Sequence, residues 1–145
     1  VIFIEFAEFE IEKVIMARAD HDADIVEFIT DLAKTEEIEA GIFTAMGALK
    51  NARLGYYDQE VHEYQELKID EHCEIASCVG NISILEGEPF VHSHAVLSYE
   101  DGETVAGHLN AGRVFASEIH VQVVDGPKVE RKHDNVTDLS LWKFG

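Results

Sequence analysis

Residues 92–108 read His-Ser-His-Ala-Val-Leu-Ser-Tyr-Glu-Asp-Gly-Glu-Thr-Val-Ala-Gly-His, and three of the chain's eight histidines lie in this stretch. Asp101-Gly102 is a hairpin turn signal set between apolar runs. A strand places residues i and i+2 on one face, about 6.5–7 Å apart, so His92 and His94 can reach one metal ion together. Whether His108 joins them depends on the hairpin register. A two-residue turn centred on Asp101-Gly102 pairs His94 with Leu109 and points His108 to the other face. A three-residue loop, Glu100-Asp101-Gly102, puts Gly102 at a left-handed bulge position and pairs Tyr99 with Glu103 and His94 with His108. All three rings then share a face, with directly opposite Cβ atoms about 4.5–5.5 Å apart. The second register is favoured because it makes a chelate; the turn residues alone fit both.

A lone histidine is ordinarily a surface or hydrogen-bonded core residue, and an H-x-H pair alone is a weak signal. The third histidine across the turn makes His92, His94 and His108 a candidate metal site. The other five, His21, His62, His72, His120 and His133, have no such neighbours in sequence and read as surface or core residues.

Working outward, 145 residues suffice for one domain, 1–145, with its own core. A hydrophobic content of 46% is globular rather than disordered. No apolar run approaches eighteen residues, so no membrane span is expected. The opening residues, 1–6, lack the basic leader and small-residue cleavage site of a signal peptide. Two cysteines, Cys73 and Cys78, make neither a disulfide framework nor a C-x-x-C pair, which suggests a reduced, cytoplasmic setting. The formal net charge is −18, from 29 acidic and 11 basic side chains. Non-specific DNA binding rests on Lys and Arg neutralising phosphates, so this balance argues against DNA and against anionic membranes. It fits a solvated acidic surface that aids solubility.

Along the chain, residues 1–12 alternate as a strand whose buried face slips near Ala7-Glu8, where a turn or bulge is expected. Val14–Arg18 is a second strand, and Asp20-His21-Asp22 a loop. Asp24–Lys34 is the clearest helix: Ile25, Phe28, Ile29, Leu32 and Ala33 form one apolar stripe, and Asp24 with Glu27 fits a capping box. Strands follow over Ile38–Met46 and Ala52–Tyr57, with Gly41 and Gly47 as candidate bulges and no phosphate-loop motif. Asp58–Glu63 is a turn, Tyr64–Ile69 an edge strand and Glu71-His72-Cys73 a loop. Glu74–Leu85, apolar on both faces, reads as a central strand in which Cys78 is a core residue. After the histidine hairpin, Asn110-Ala111-Gly112 reads as a connection, and Ser117–Val124 as a strand ended by Asp125-Gly126-Pro127. The tail's Leu139, Leu141, Trp142 and Phe144 dock on the core or on a neighbouring subunit. The whole is an α+β fold, mixed and mostly antiparallel, with one main amphipathic helix.

Several segments together carry a family resemblance: Gly41-Ile42-Phe43-Thr44-Ala45-Met46-Gly47-Ala48, Leu54-Gly55-Tyr56-Tyr57-Asp58, Glu74-Ile75 to Gly80-Asn81-Ile82-Ser83, His92-Ser93-His94-Ala95 and Gly107-His108-Leu109. In this order they resemble the PPC domain (DUF296) over nearly the whole chain, the Leu141-Trp142 ending included. One departure is Ala106-Gly107, where that family usually has two glycines. The resemblance implies a sandwich-like domain that assembles as a homotrimer. It also implies a fold similar to acetolactate decarboxylase, in which an H-x-H pair and a third histidine hold zinc; that pattern falls on His92, His94 and His108. Relatives often carry a DNA-binding label, largely because plant members join the domain to AT-hooks; no Arg-Gly-Arg-Pro core occurs here.

Three expectations follow. The first is a metal-binding domain, with zinc or another divalent transition metal on three imidazoles and a fourth position open to water or a small-molecule ligand. Carboxylates or backbone carbonyls should then hold the distal ring nitrogens, and Glu86 and Glu88 are close in sequence. No residue stands out as a general base, so no catalytic residue is assigned. The second is a regulatory protein-interaction module whose trimer is the functional object, with any metal structural. The third is DNA binding, which the acidic charge disfavours.

Overall fold

Buried and exposed residues alternate through most of the chain, and each alternating run is a strand in the computed structural model, which describes residues 2–144. The elements are β1 (Glu10–Ala19), α1 (Ile25–Thr35), β2 (Gly41–Asp58), β3 (Glu63–Ile69), β4 (Cys73–Leu85), β5 (Glu88–Ser98), β6 (Thr104–Asp125), β7 (Val129–His133) and β8 (Ser140–Phe144). Nearly all pairings are antiparallel; a single parallel bridge, Ile84↔Glu130, joins β4 to β7. The architecture is the expected α+β, mixed and mostly antiparallel, with one helix.

The two longest strands organise the rest. β2 pairs with β6 from Gly41↔Val123 to Gly55↔His108, and its first half pairs with β4 on its other edge. β5 bridges β4 and β6, so β2, β6, β5 and β4 close on themselves like a small barrel. β3 extends one side as an edge strand, β1 lies on β6, and the β7–β8 hairpin hangs from β4. Phe43, Leu49, Leu97, Val114, Ile119 and Val121 fill the interior, and α1 packs Ile25, Ile29 and Ala33 onto them. Each isoleucine so buried contributes about 2 kcal/mol of transfer free energy. The helix starts as its sequence dictates: one Asp24 carboxylate oxygen accepts from the N–H groups of Val26 (2.9 Å) and Glu27 (3.0 Å). The other oxygen accepts from the Gly112 N–H at 2.9 Å, tying the cap to β6.

Three sequence expectations are corrected. Of the strand expected over 1–12, only the part from Glu10 forms. Glu10 pairs with Asp125, the last residue of β6, so the chain before it has no backbone ladder to join. Ile2, Phe3, Ile4 and Phe6 stay exposed, and the register slip falls between Ile11 and Lys13 instead of at Ala7-Glu8. Val1 and Gly145, also covered by the expectations for the first strand and the tail, lie outside the described residues. Second, the strands expected over Ile38–Met46 and Ala52–Tyr57 are one strand, β2. It bends at Gly47, whose φ of 134° only glycine adopts readily and whose missing Cβ would stand 2.7 Å from the Ser117 Cα. Third, Asn110-Ala111-Gly112 is not a connection; it stays in β6, with Ala52↔Gly112 and Arg53↔Ala111 paired through irregular register. Bulges absorb the curvature that turns would otherwise have supplied.

Both cysteines are free and buried, and burial raises their thiol pKa values, as suits core residues. Leu141 and Trp142 lie on β8 and remain partly exposed. Among the described residues no helix is long and apolar enough to cross a membrane.

Candidate metal centre

The β5–β6 hairpin closes through the three-residue loop. The Tyr99 N–H donates to the Glu103 carbonyl (2.8 Å), the Gly102 N–H to the Tyr99 carbonyl (2.9 Å), and Gly102 has φ 85°. Asp101 accepts from the Glu103 N–H at 2.9 Å and stiffens the turn. This register sets His94 opposite His108. On β5, Ser93, Ala95 and Leu97 are buried, so His92 and His94 project from the outer face of the sheet.

All three imidazoles therefore converge. Ring centroids lie 5.3 Å apart for His92 and His94, 5.2 Å for His92 and His108, and 4.2 Å for His94 and His108. One nitrogen from each lies within 4.8 Å of the others. His92 Nε2 and His108 Nδ1 are 3.3 Å apart. Nitrogens held at about 2.0–2.1 Å around a tetrahedral ion stand about 3.3 Å from each other. The donor set thus suits a divalent transition metal, with the His92–His108 pair already at that spacing. The protonation state fits as well. Burial, with the neighbouring Arg131 cation and the other two rings, pushes His92 down to about 4. Burial and His94 also lower His108. These rings are neutral near neutral pH, as metal ligation requires.

The surroundings differ from expectation. Among the described residues no carboxylate hydrogen-bonds to His92. Its Nδ1 instead faces the Arg131 guanidinium, 3.4 Å from one terminal nitrogen. Arg131 comes from β7, and Glu88 is occupied elsewhere, 3.6 Å from Lys34. Tyr64 of β3 meets the His108 ring edge-on at 5.3 Å.

His94 and His108 open onto a hollow of about 860 Å³ whose walls include Tyr57, His62, Val79, Val96, Val136 and Leu139. On this wall His62 pairs through Nδ1 with Asp138 at 2.5 Å, and Tyr57 stacks on its ring. Both His62 and Asp138 sit in left-handed backbone, each with φ 57°. Read from sequence, His62 is an ordinary surface histidine; its partner is 76 residues away, and no local pattern announces the pair. His21, His72, His120 and His133 stay apart from the three rings. A second hollow, about 590 Å³ around Lys50, His72, Cys73 and Phe115, touches none of the triad.

The family model of the Plants and Prokaryotes Conserved (PCC) domain matches residues 6–125. Among solved structures, one described as a metal-containing protein from Archaeoglobus fulgidus is 38% identical with a TM-score of 0.93, covering 97% of this chain and 99% of that one. A plant- and prokaryote-conserved (PPC) protein from Pyrococcus horikoshii is 35% identical with a TM-score of 0.92, covering 97% of each. A Bacteroides thetaiotaomicron protein, provisionally named as DNA-binding, is 21% identical with a TM-score of 0.86, covering 97% of this chain and 99% of that one; it shares the fold. No curated protein matches the chain.

Proposed function

The chain belongs to the Plants and Prokaryotes Conserved (PCC) domain family, and from that premise we propose that it is a metal-binding domain in which His92, His94 and His108 hold one divalent transition metal. The observation that carries this reading is the convergence of one nitrogen from each ring within 4.8 Å, beside an open hollow. The archaeal relative described as metal-containing adds support at 38% identity. Three histidine ligands with a position left open is the arrangement of catalytic zinc, and we assign zinc on that ground. Bound there, zinc would lower the pKa of a coordinated water or polarise a carbonyl oxygen. The chain's own residues do the rest. Burial and Arg131 keep His92 unprotonated, Tyr64 braces His108, and the apolar wall of Val79, Val96, Val136 and Leu139 favours a ligand with an apolar body.

The working unit in this reading is a homotrimer. Met16, His120 and Thr44 form a cross-strand row on the outer face, with Ile42 and Met46 on either side of Thr44 along β2. Of these, Met16, Ile42 and Met46 are all more than half exposed. An apolar face of this extent favours association with copies of itself. Duplex DNA fits less well. The provisional DNA-binding names belong to relatives only 21–23% identical, and a chain with 29 acidic and 11 basic side chains repels phosphate.

Elemental analysis of purified protein tests the metal. Near-stoichiometric zinc is expected, falling to background in the His92→Ala/His94→Ala double variant. An unchanged metal content in that variant would overturn the assignment. Light scattering at micromolar concentration should give three times the chain mass; a monomer would remove the trimer.

A further inference from the structure

Arg131 is 8% exposed, yet no ion pair reaches it among the described residues, in a chain with 29 acidic side chains. Its acceptors are all neutral. Nε donates to Ser83 Oγ (2.8 Å), one terminal nitrogen to the Ser140 carbonyl (3.0 Å), and the other to Asn81 Oδ1 (3.0 Å) while standing 3.4 Å from His92 Nδ1. Phe90 and Trp142 cover the guanidinium, with ring centroids 5.2 and 5.9 Å from Cζ. A buried cation is ordinarily paired, because desolvating it alone is costly.

A fixed positive charge against a metal ligand works against a dication and in favour of whatever anion the dication carries. In a partly buried setting water screens such a field only in part, so it still reaches across a few ångströms. Arg131 cannot touch a ligand in the hollow; it acts through space, behind His92.

Resting on the metal reading above, we infer that Arg131 tunes the triad to take a small monoanion, a carboxylate with an apolar body, at the metal's open position. The hollow agrees with that class: Val79, Val96, Val136 and Leu139 line it, and no lysine or arginine is among its walls to hold a larger polyanion. Arg131 is a positioning residue, and a purely structural role as the pin between β4, β7 and β8 is the competing account.

Asn81→Asp separates the two accounts. It puts a carboxylate where Asn81 Oδ1 already accepts from Arg131, so it cancels the charge and keeps the hydrogen bonds. The experiment uses full-length protein loaded with Co²⁺ and titrated with acetate, following the visible absorption of the metal. In N81D, acetate should bind about tenfold more weakly than in wild type, the size expected for a unit charge several ångströms away in a partly shielded site. Co²⁺ itself should bind more tightly. R131M should lose acetate affinity to a similar degree, and R131K should recover most of it. Equal acetate affinity in wild type and N81D would overturn the inference and leave Arg131 a pin. A Co²⁺-loaded wild type whose spectrum does not respond to acetate would overturn it too. A wild type that takes up no Co²⁺ would fail the metal reading itself, a separate result.

Discussion

Gly80→Ala joins core packing to the candidate metal centre at one atom. Gly80 lies between Phe43 of β2 and Ser93 of β5. A Cβ there would stand 2.6 Å from the His92 carbonyl oxygen and closer still to the Phe43 ring. Ordinary contact begins near 3.4 Å, so β4 and β5 must separate by about an ångström or the ring must move. Phe43 is 1% exposed and packed within the core cluster. Overpacking of this kind costs about 1–3 kcal/mol, and the collision with a backbone carbonyl argues for the upper part of that range. Restricting the unfolded chain returns about 0.4–1 kcal/mol. The net expectation is a loss of about 2 kcal/mol, near thirtyfold in the folding equilibrium. Urea denaturation followed by circular dichroism, with chelator and at fixed protein concentration, measures it. The displaced carbonyl belongs to His92, so on the proposed metal reading zinc retention should fall as well. Phe43→Leu combined with Gly80→Ala should restore part of the stability by giving the methyl room, and the remaining loss reports the carbonyl. A Gly80→Ala protein within about 0.5 kcal/mol of wild type, with zinc retained, would refute this reasoning.

Two further predictions concern the helix cap and the histidines. Asp24→Ala removes acceptors from Val26, Glu27 and Gly112 together, so it should cost about 2 kcal/mol, more than an exposed cap alone; a loss below about 0.5 kcal/mol in urea would show that the Gly112 link carries nothing. In chelated protein, His92 sits near 4 when folded and near 6.5 when unfolded. The unfolded state therefore binds the extra proton between those values. The neutral ring's contribution is complete above about 6.5 and is lost as pH falls toward 4, with the lowered His108 adding in the same direction. Urea midpoints should drop across that window, and His92→Asn should flatten the drop; parallel curves for the two proteins would contradict the account.

Local pattern was enough for several features. The stripe from Ile25 to Ala33 and the cap at Asp24 are written at helical spacing, and the helix forms where they say. The Tyr99–Glu103 closure was one of two registers the turn residues allowed, and the observed one brings His94 and His108 face to face. Cys78 in the core and β3 at an edge were also legible, because burial pattern and neighbouring turns report on them directly. Ile2, Ile4 and Phe6 alternate as a strand would, yet alternation describes a face and cannot supply a partner backbone, and β6 ends at Asp125.

Taken alone, the sequence determined the helix, most strands, and the candidacy of His92, His94 and His108, since each of these depends on residues within a turn or a hairpin of one another. Only the tertiary structure decided that the register brings the three rings together, that Arg131 rather than a carboxylate stands behind His92, and that His62, paired with Asp138, faces the same hollow as His94 and His108. The reason is physical: periodicity encodes which side of an element is buried, whereas the closure of β2, β6, β5 and β4 and the return of β7 across β4 are long-range pairings, fixed by packing of the whole chain.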